Sequence, residues 1–214
     1  MSAIEFVIQH SLNNQDIMKL IILTAAAYLA GSVNFALLLF KILGKEDPRL
    51  HYSGNAGTTN VYRMAGPAWA AAVLLLDIGR AVVIALLARY ALTPGAVPWA
   101  GLALVIGNRY PCFHQFRGGK GVANYLGFSA VITPAGAVVS CIAWVCVYVL
   151  KRVPFIASFA MIAVLTFGTI AACGYRPAAI TGAVITALFI MFNHRANITA
   201  MMQSGKEKEK TDTD

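Results

Sequence analysis

The sequence predicts an all-α polytopic membrane protein with seven transmembrane helices, some of them short or broken. Three observations carry this expectation. Of 214 residues, 58% are hydrophobic and only 12% charged, about half the charged share of a soluble domain. No Asp, Glu, Lys or Arg occurs in 121–150 or in 153–175, and roughly 20 apolar residues span a bilayer. The basic residues gather mostly at the ends of apolar runs, as the positive-inside rule requires of cytoplasmic loops.

The apolar runs are 17–43, 67–92, 96–113, 121–135, 137–150, 153–173 and 176–193. Four basic places punctuate them. Lys41, Lys45, Arg49 and Arg63 follow the first run, and Arg109, Arg117 and Lys120 the third. Lys151 and Arg152 follow the fifth, and Arg195, Lys206, Lys208 and Lys210 the last. With all four places cytoplasmic, an even number of crossings must separate neighbours. The stretch 121–150 tests that demand. As one helix it is about 45 Å long, against a hydrocarbon core of about 30 Å. The tetrapeptide TPAG at 133–136 offers a turn in its middle. Two short helices satisfy both constraints. The count becomes seven, with the N-terminus outside and the C-terminus cytoplasmic. A five-crossing arrangement, with 121–150 as one tilted helix, is the alternative. The implied organisation is an extracytoplasmic segment 1–16, a single membrane domain 17–198 and a cytoplasmic tail 199–214. The closing GKEKEKTDTD is polar and low in complexity, so the tail is expected to be disordered.

Several function classes are disfavoured. The first sixteen residues hold Glu5 and Asp16 but no Lys or Arg, the reverse of a signal peptide's basic start. Cys112, Cys141, Cys146 and Cys173 lack metal or redox spacing and read as small hydrophobes. The net charge of +8 sits at helix ends and does not point to nucleic acid. No internal repeat suggests a transporter's duplicated halves.

Three polar segments fall on the expected cytoplasmic face. KEDPRLHYSGNAGTTNVYR, 45–63, is rich in Gly, Asn, Thr and Ser, which offer the donors that phosphate oxygens need. Composition alone favours a plain loop. FRGGKGVAN, 116–124, puts glycines and Lys120 before an apolar run, and a helix N-terminus is an anion site. It is not the Walker pattern, which needs GxxxxGK[ST]. FNHRANI, 192–198, sets His194 and Asn197 three apart on one helix face. An imidazole there serves as base, acid or phosphate donor, though a lone interfacial His is more often a hydrogen-bonded end residue. Asp77 and Arg80, three apart inside the second run, read equally well as a functional pair or a brace. Taken together, the three segments suit an anionic, phosphorylated substrate handled where water meets bilayer.

The stretches GSVNFALLLFKILG, DPRLHYSGNAGTTNVYRMAG, GNRYPCFHQFRGGKGVAN and HRANI resemble the bacterial acyl-phosphate:glycerol-3-phosphate acyltransferases. The likeness runs from about Ala30 to Ile198, with the motifs in the family's order. It implies seven helices in the bacterial inner membrane and an active site at the cytoplasmic face. In the first motif the functional Ser and Arg match Ser53 and Arg63, with Asn60 beside them. The glycine-rich phosphate loop matches Gly118, Gly119, Lys120 and Gly121. The third motif supplies His194 and Asn197, and a Ser used by relatives matches Ser158. This chain departs from the usual pattern at Asn34, Arg80, Ala81, Asn108, Phe155 and Ala196.

The resemblance implies acyl transfer to glycerol-3-phosphate, giving lysophosphatidic acid and inorganic phosphate. Its partners are fatty acyl-phosphate, glycerol-3-phosphate, membrane lipid and the enzyme that makes acyl-phosphate. No cofactor and no metal are implied. An acyl-phosphate is already activated, so a covalent intermediate is unnecessary; positioning and charge stabilisation of two phosphates are what remain. Five positions after His10, His51, His114 and His194 stand Gln15, Ala56, Gly119 and Thr199, so the His-x4-Asp pair of soluble-type acyltransferases is absent. The rival readings are a transporter for an anionic solute and an inactive diverged paralogue.

Overall fold

The computed structural model describes the backbone of residues 3–211 and the side chains of residues 14–203. Met1, Ser2 and 212–214, the extremities of the expected outer segment and tail, lie outside the described residues. Among the described residues the regular structure is entirely helical.

The first apolar run holds two helices, α1 (Ala3–Ser32) and α2 (Phe35–Ile42). Asn34 sits at the break and its side chain accepts from Leu37 N at 3.0 Å, the N-cap of α2. The segment 45–63, which composition reads as a loop, contains a short 3-10 turn and then α3 (Thr58–Ala65). Next come α4 (Pro67–Ala91) and α5 (Val97–Arg109). The stretch 121–150 is divided into α6 (Val122–Ile132) and α7 (Pro134–Lys151), with the break at Thr133 inside TPAG. α8 (Pro154–Ala172) and α9 (Pro177–Phe192) complete the bundle. Proline explains these starts: it opens α4, α7, α8 and α9 and stands second in α5, where its missing N–H costs nothing and its fixed φ suits the helix. The backbone continues as α10 (Arg195–Thr211) where a disordered tail is expected. Its Lys and Glu residues are good helix formers.

Among the described residues, four helical stretches are long and apolar enough to cross a membrane: Asn14–Ile42, Pro67–Ala91, Pro134–Lys151 and Pro154–Ala172. A fifth exists if Pro177–Phe192 and Arg195–Gln203, bent by 43°, count as one. α5 and α6, with 13 and 11 residues, are about 20 and 17 Å long, which is why this count falls below seven. Leu75, Val83, Ile142 and Phe167 are more than half exposed on the outside of the bundle, the apolar surface that lipid would cover.

The inside is built on small residues. A Cβ on Gly31 would run into the Leu104 carbonyl oxygen, and one on Gly107 into the Tyr28 carbonyl oxygen. α1 and α5 therefore touch backbone to backbone. Arg80 ties the breaks together. Its guanidinium pairs with Asp77 at 2.8 Å and donates to Asn124 Oδ1 at 2.7 Å. It also donates to the carbonyls of Ala30 at 3.0 Å and of Val33, satisfying the open C-terminal end of α1. Asn108 Oδ1, at the end of α5, lies 3.5 Å from the same group. The brace reading of Asp77 and Arg80 is the one their geometry supports: the pair joins α1, α4, α5 and α6 at one level.

Candidate active site

The three polar segments converge. In the first, Tyr52 and Gly54 take positive φ of 49° and 63° and turn Ser53 outward, where it is exposed. Arg63, in the last turn of α3, lies over the Tyr52 ring at 5.9 Å, which brings it to the Ser53 turn. Asn60 faces the other way and is 1% exposed. It donates to the carbonyls of Pro48 and His51, so it holds the turn that presents Ser53. Arg49 links this segment to the next, donating to the carbonyls of His114 at 2.9 Å and Arg117 at 3.0 Å.

The glycine loop folds back onto the end of α5. Gly118 N donates to Arg109 O at 3.1 Å and Gly119 N to Asn108 O at 2.9 Å. These two N–H groups are therefore occupied, a correction to the expectation that they face phosphate. The glycines serve close approach instead. A Cβ on Gly118 would strike the Asn108 carbonyl, one on Gly119 would lie 2.7 Å from Asn108 Nδ2, and Gly121 combines φ of +96° with Val105 Cγ1 2.5 Å from its would-be Cβ. The first N–H groups of α6 follow directly and have no intrahelical partner. Gly118→Ala is expected to displace the loop and lower kcat/KM about 10²-fold, measured on detergent-purified protein with an unchanged elution profile.

Lys120 joins the loop to the third segment. Its ammonium donates to Asn197 Oδ1, and Asn193 Nδ2 donates to Lys120 O at 3.2 Å. His194 is 3% exposed and its Nδ1 lies 2.8 Å from Ile190 O. A neutral ring therefore carries its proton on Nδ1 and leaves Nε2 as the acceptor. Phe159 meets the imidazole edge-on at 5.4 Å. Ser158 is turned into the α7–α8 seam: it donates to Pro154 O at 3.0 Å and accepts from Trp144 Nε1 at 3.3 Å.

Electrostatics sets this region apart. Burial, then the charges of Arg109 and Arg63, lower the Lys120 ammonium to about 8. Burial, then Lys120 and Arg109, hold His194 down to about 4 against the opposing bond to Ile190. Each carboxylate among the described side chains is engaged elsewhere: Asp16 with Lys19, Glu46 with His51, Asp47 with Arg49 and Asp77 with Arg80. The charges of Arg63 and Arg109 thus act on Lys120 with no described carboxylate free to oppose them. Arg109 and Asn193 are the members that sequence reasoning missed. Arg109 read only as a topology marker, and nothing local distinguishes Asn193 from an ordinary helix end.

Residues 21–204 match the family described as Glycerol-3-phosphate acyltransferase. The chain belongs to this family. The glycerol-3-phosphate acyltransferase of Pseudomonas paraeruginosa is 36% identical over 189 residues, covering 87% of this chain and 97% of that relative. Two solved structures of PlsY (YgiH), an integral membrane glycerol 3-phosphate acyltransferase, share the family fold. The glycerol 3-phosphate form aligns with TM-score 0.80 at 32% identity over 86% of this chain and 92% of that one. The lysophosphatidic acid form aligns with TM-score 0.77 at 31% identity over the same shares. An all-helical acyltransferase-family chain with membrane-length helices is what sequence, fold and relatives agree on.

Proposed function

We propose that this protein transfers a fatty acyl group from acyl-phosphate to the sn-1 hydroxyl of glycerol-3-phosphate. The observation that carries the reading is the cluster of Arg63, Arg109 and Lys120 without a carboxylate among them, in a chain of this family. Two phosphates are what such a cluster would neutralise. The hydroxyl oxygen attacks the carbonyl carbon, the bond from that carbon to the bridging oxygen breaks, and inorganic phosphate leaves with the electron pair on that oxygen. The hydroxyl proton goes to a phosphate oxygen of the acyl donor, either directly or by way of His194 Nε2, which burial and the neighbouring cations keep unprotonated. Lys120, steadied by Asn197, holds phosphate; Arg63 and Ser53 receive the acceptor; Asn60 and the glycines Gly118, Gly119 and Gly121 shape the cradle. Ser158 fixes the start of α8 behind Phe159. No protein nucleophile is required.

The accompanying topology is seven crossings within 17–198, the short α5 and α6 counting as crossings, with the N-terminus outside. The site then opens to the cytoplasm from the inner membrane, and the acyl chain lies among the helices. The enzyme that makes acyl-phosphate is the natural supplier. The test is radiolabelled glycerol-3-phosphate with palmitoyl-phosphate or palmitoyl-CoA and purified protein. Lysophosphatidic acid from palmitoyl-phosphate supports the reading; product from the thioester alone overturns the donor, and no product from either overturns the activity.

A pH dependence follows from Lys120. With its ammonium lowered to about 8, the charge is present below that pH and lost as pH rises through it. KM for the phosphorylated substrates is expected to climb above about pH 8. Lys120→Arg, which keeps its charge, flattens that climb, and a wild-type KM constant from pH 7 to 10 would count against the role.

A further inference from the structure

We propose that Arg109 binds the phosphate of the acyl donor, while Arg63 binds that of the acceptor, with Lys120 between them. This rests on the acyl-transfer reading above and adds a division of labour between two cations.

The first observation is an orphan. Arg109 Nε is buried without a hydrogen-bond partner, although its charge acts on both Lys120 and His194. A buried guanidinium N–H without an acceptor is costly. No described carboxylate is left to satisfy it, since all four are paired with other cations. A ligand anion fits, and a phosphate fits best because it accepts a guanidinium fork bidentately.

The second observation separates the two arginines by surroundings. Arg63 is exposed, at the end of a short polar helix beside the exposed Ser53, where a water-soluble phosphate arrives. Arg109 sits against apolar walls. Its guanidinium lies 5.4 Å over the Tyr110 ring, Tyr110 meets Phe189 of α9 at 6.1 Å, and Phe159 meets the His194 ring edge-on. A phosphate attached to an acyl chain has its apolar part against such walls and its charge at the guanidinium. The backbone holds Arg109 in place, because its carbonyl accepts from Gly118 of the loop.

The experiment is steady-state kinetics of Arg109→Gln and Arg109→Lys in detergent, varying palmitoyl-phosphate and glycerol-3-phosphate separately. Wild-type activity with palmitoyl-phosphate first establishes the reaction itself; its absence defeats that reading rather than this one. Arg109→Gln is expected to raise KM for palmitoyl-phosphate about tenfold, to leave KM for glycerol-3-phosphate within about twofold, and to weaken competitive inhibition by inorganic phosphate. Arg109→Lys recovers part of the loss. A rise confined to glycerol-3-phosphate, or no change in either KM, overturns the proposal. Anionic phospholipid carries the same phosphate chemistry, so both variants are also assayed with added phosphatidylglycerol; a defect that follows lipid content and not donor concentration overturns it too. If neither variant folds, phenylglyoxal labelling of wild-type Arg109 decides. Protection by palmitoyl-phosphate but not by glycerol-3-phosphate is the expected result, and equal labelling in both sinks the idea.

Discussion

Arg80→Ala is expected to be the most destabilising single substitution in the chain, by about 3–5 kcal/mol. The guanidinium side chain is only 7% exposed and pairs with Asp77, so its removal leaves a buried carboxylate uncompensated. It also leaves the Val33 carbonyl open just past the end of α1, takes one of two donors from the Ala30 carbonyl and leaves Asn124 Oδ1 without its donor. Thermal unfolding in detergent should fall by about 10 °C. Arg80→Lys keeps the charge but not the fork that reaches four helices, and should recover less than half of the loss. A melting temperature unchanged in Arg80→Ala would mean that the Asp77 contact is incidental and that α1 and α6 are held by apolar packing alone.

Lys120→Ala is expected to remove the most activity, lowering kcat about 10²–10³-fold with little effect on folding. Lys120 is the residue at which the glycine loop and the third segment meet, through Asn197 and Asn193. Asn197→Ala should cost about tenfold, because it loosens the ammonium without removing it. The double variant should be scarcely worse than Lys120→Ala, since Asn197 acts through the lysine. Additive losses would show that Asn197 touches substrate on its own account.

Much of this architecture is legible in the sequence because its signals are local. The charge-free stretches became helices, and TPAG marked the break between α6 and α7 to within a residue. Five helix starts carry a proline. The break between α1 and α2 was hidden, for the run 17–43 carries no charge between Lys19 and Lys41 and only Asn34 announces a cap. The helix α3 was hidden for the opposite reason: Thr58, Thr59 and Asn60 are turn formers by composition, and tertiary contacts decide between the two states. At the site, the residue types that meet were readable, but their partners were not. Hydrogen bonds from Gly118 and Gly119 to the α5 carbonyls depend on how the chain returns after 110–117. The place of Arg109 beside Lys120 depends on the same return.

The seam between α1 and α5 has a consequence for motion. Gly31 and Gly107 set two main chains against each other with no side chains between them, so the helices have no soft layer to act as a bearing. Sliding or rocking there would drive carbonyl oxygens into neighbouring Cα atoms, and Arg80 pins the same level from the side. A carrier needs one bundle to swing past another; this frame is closer to an anvil. Whatever the site takes must come to a frame that holds still at this seam.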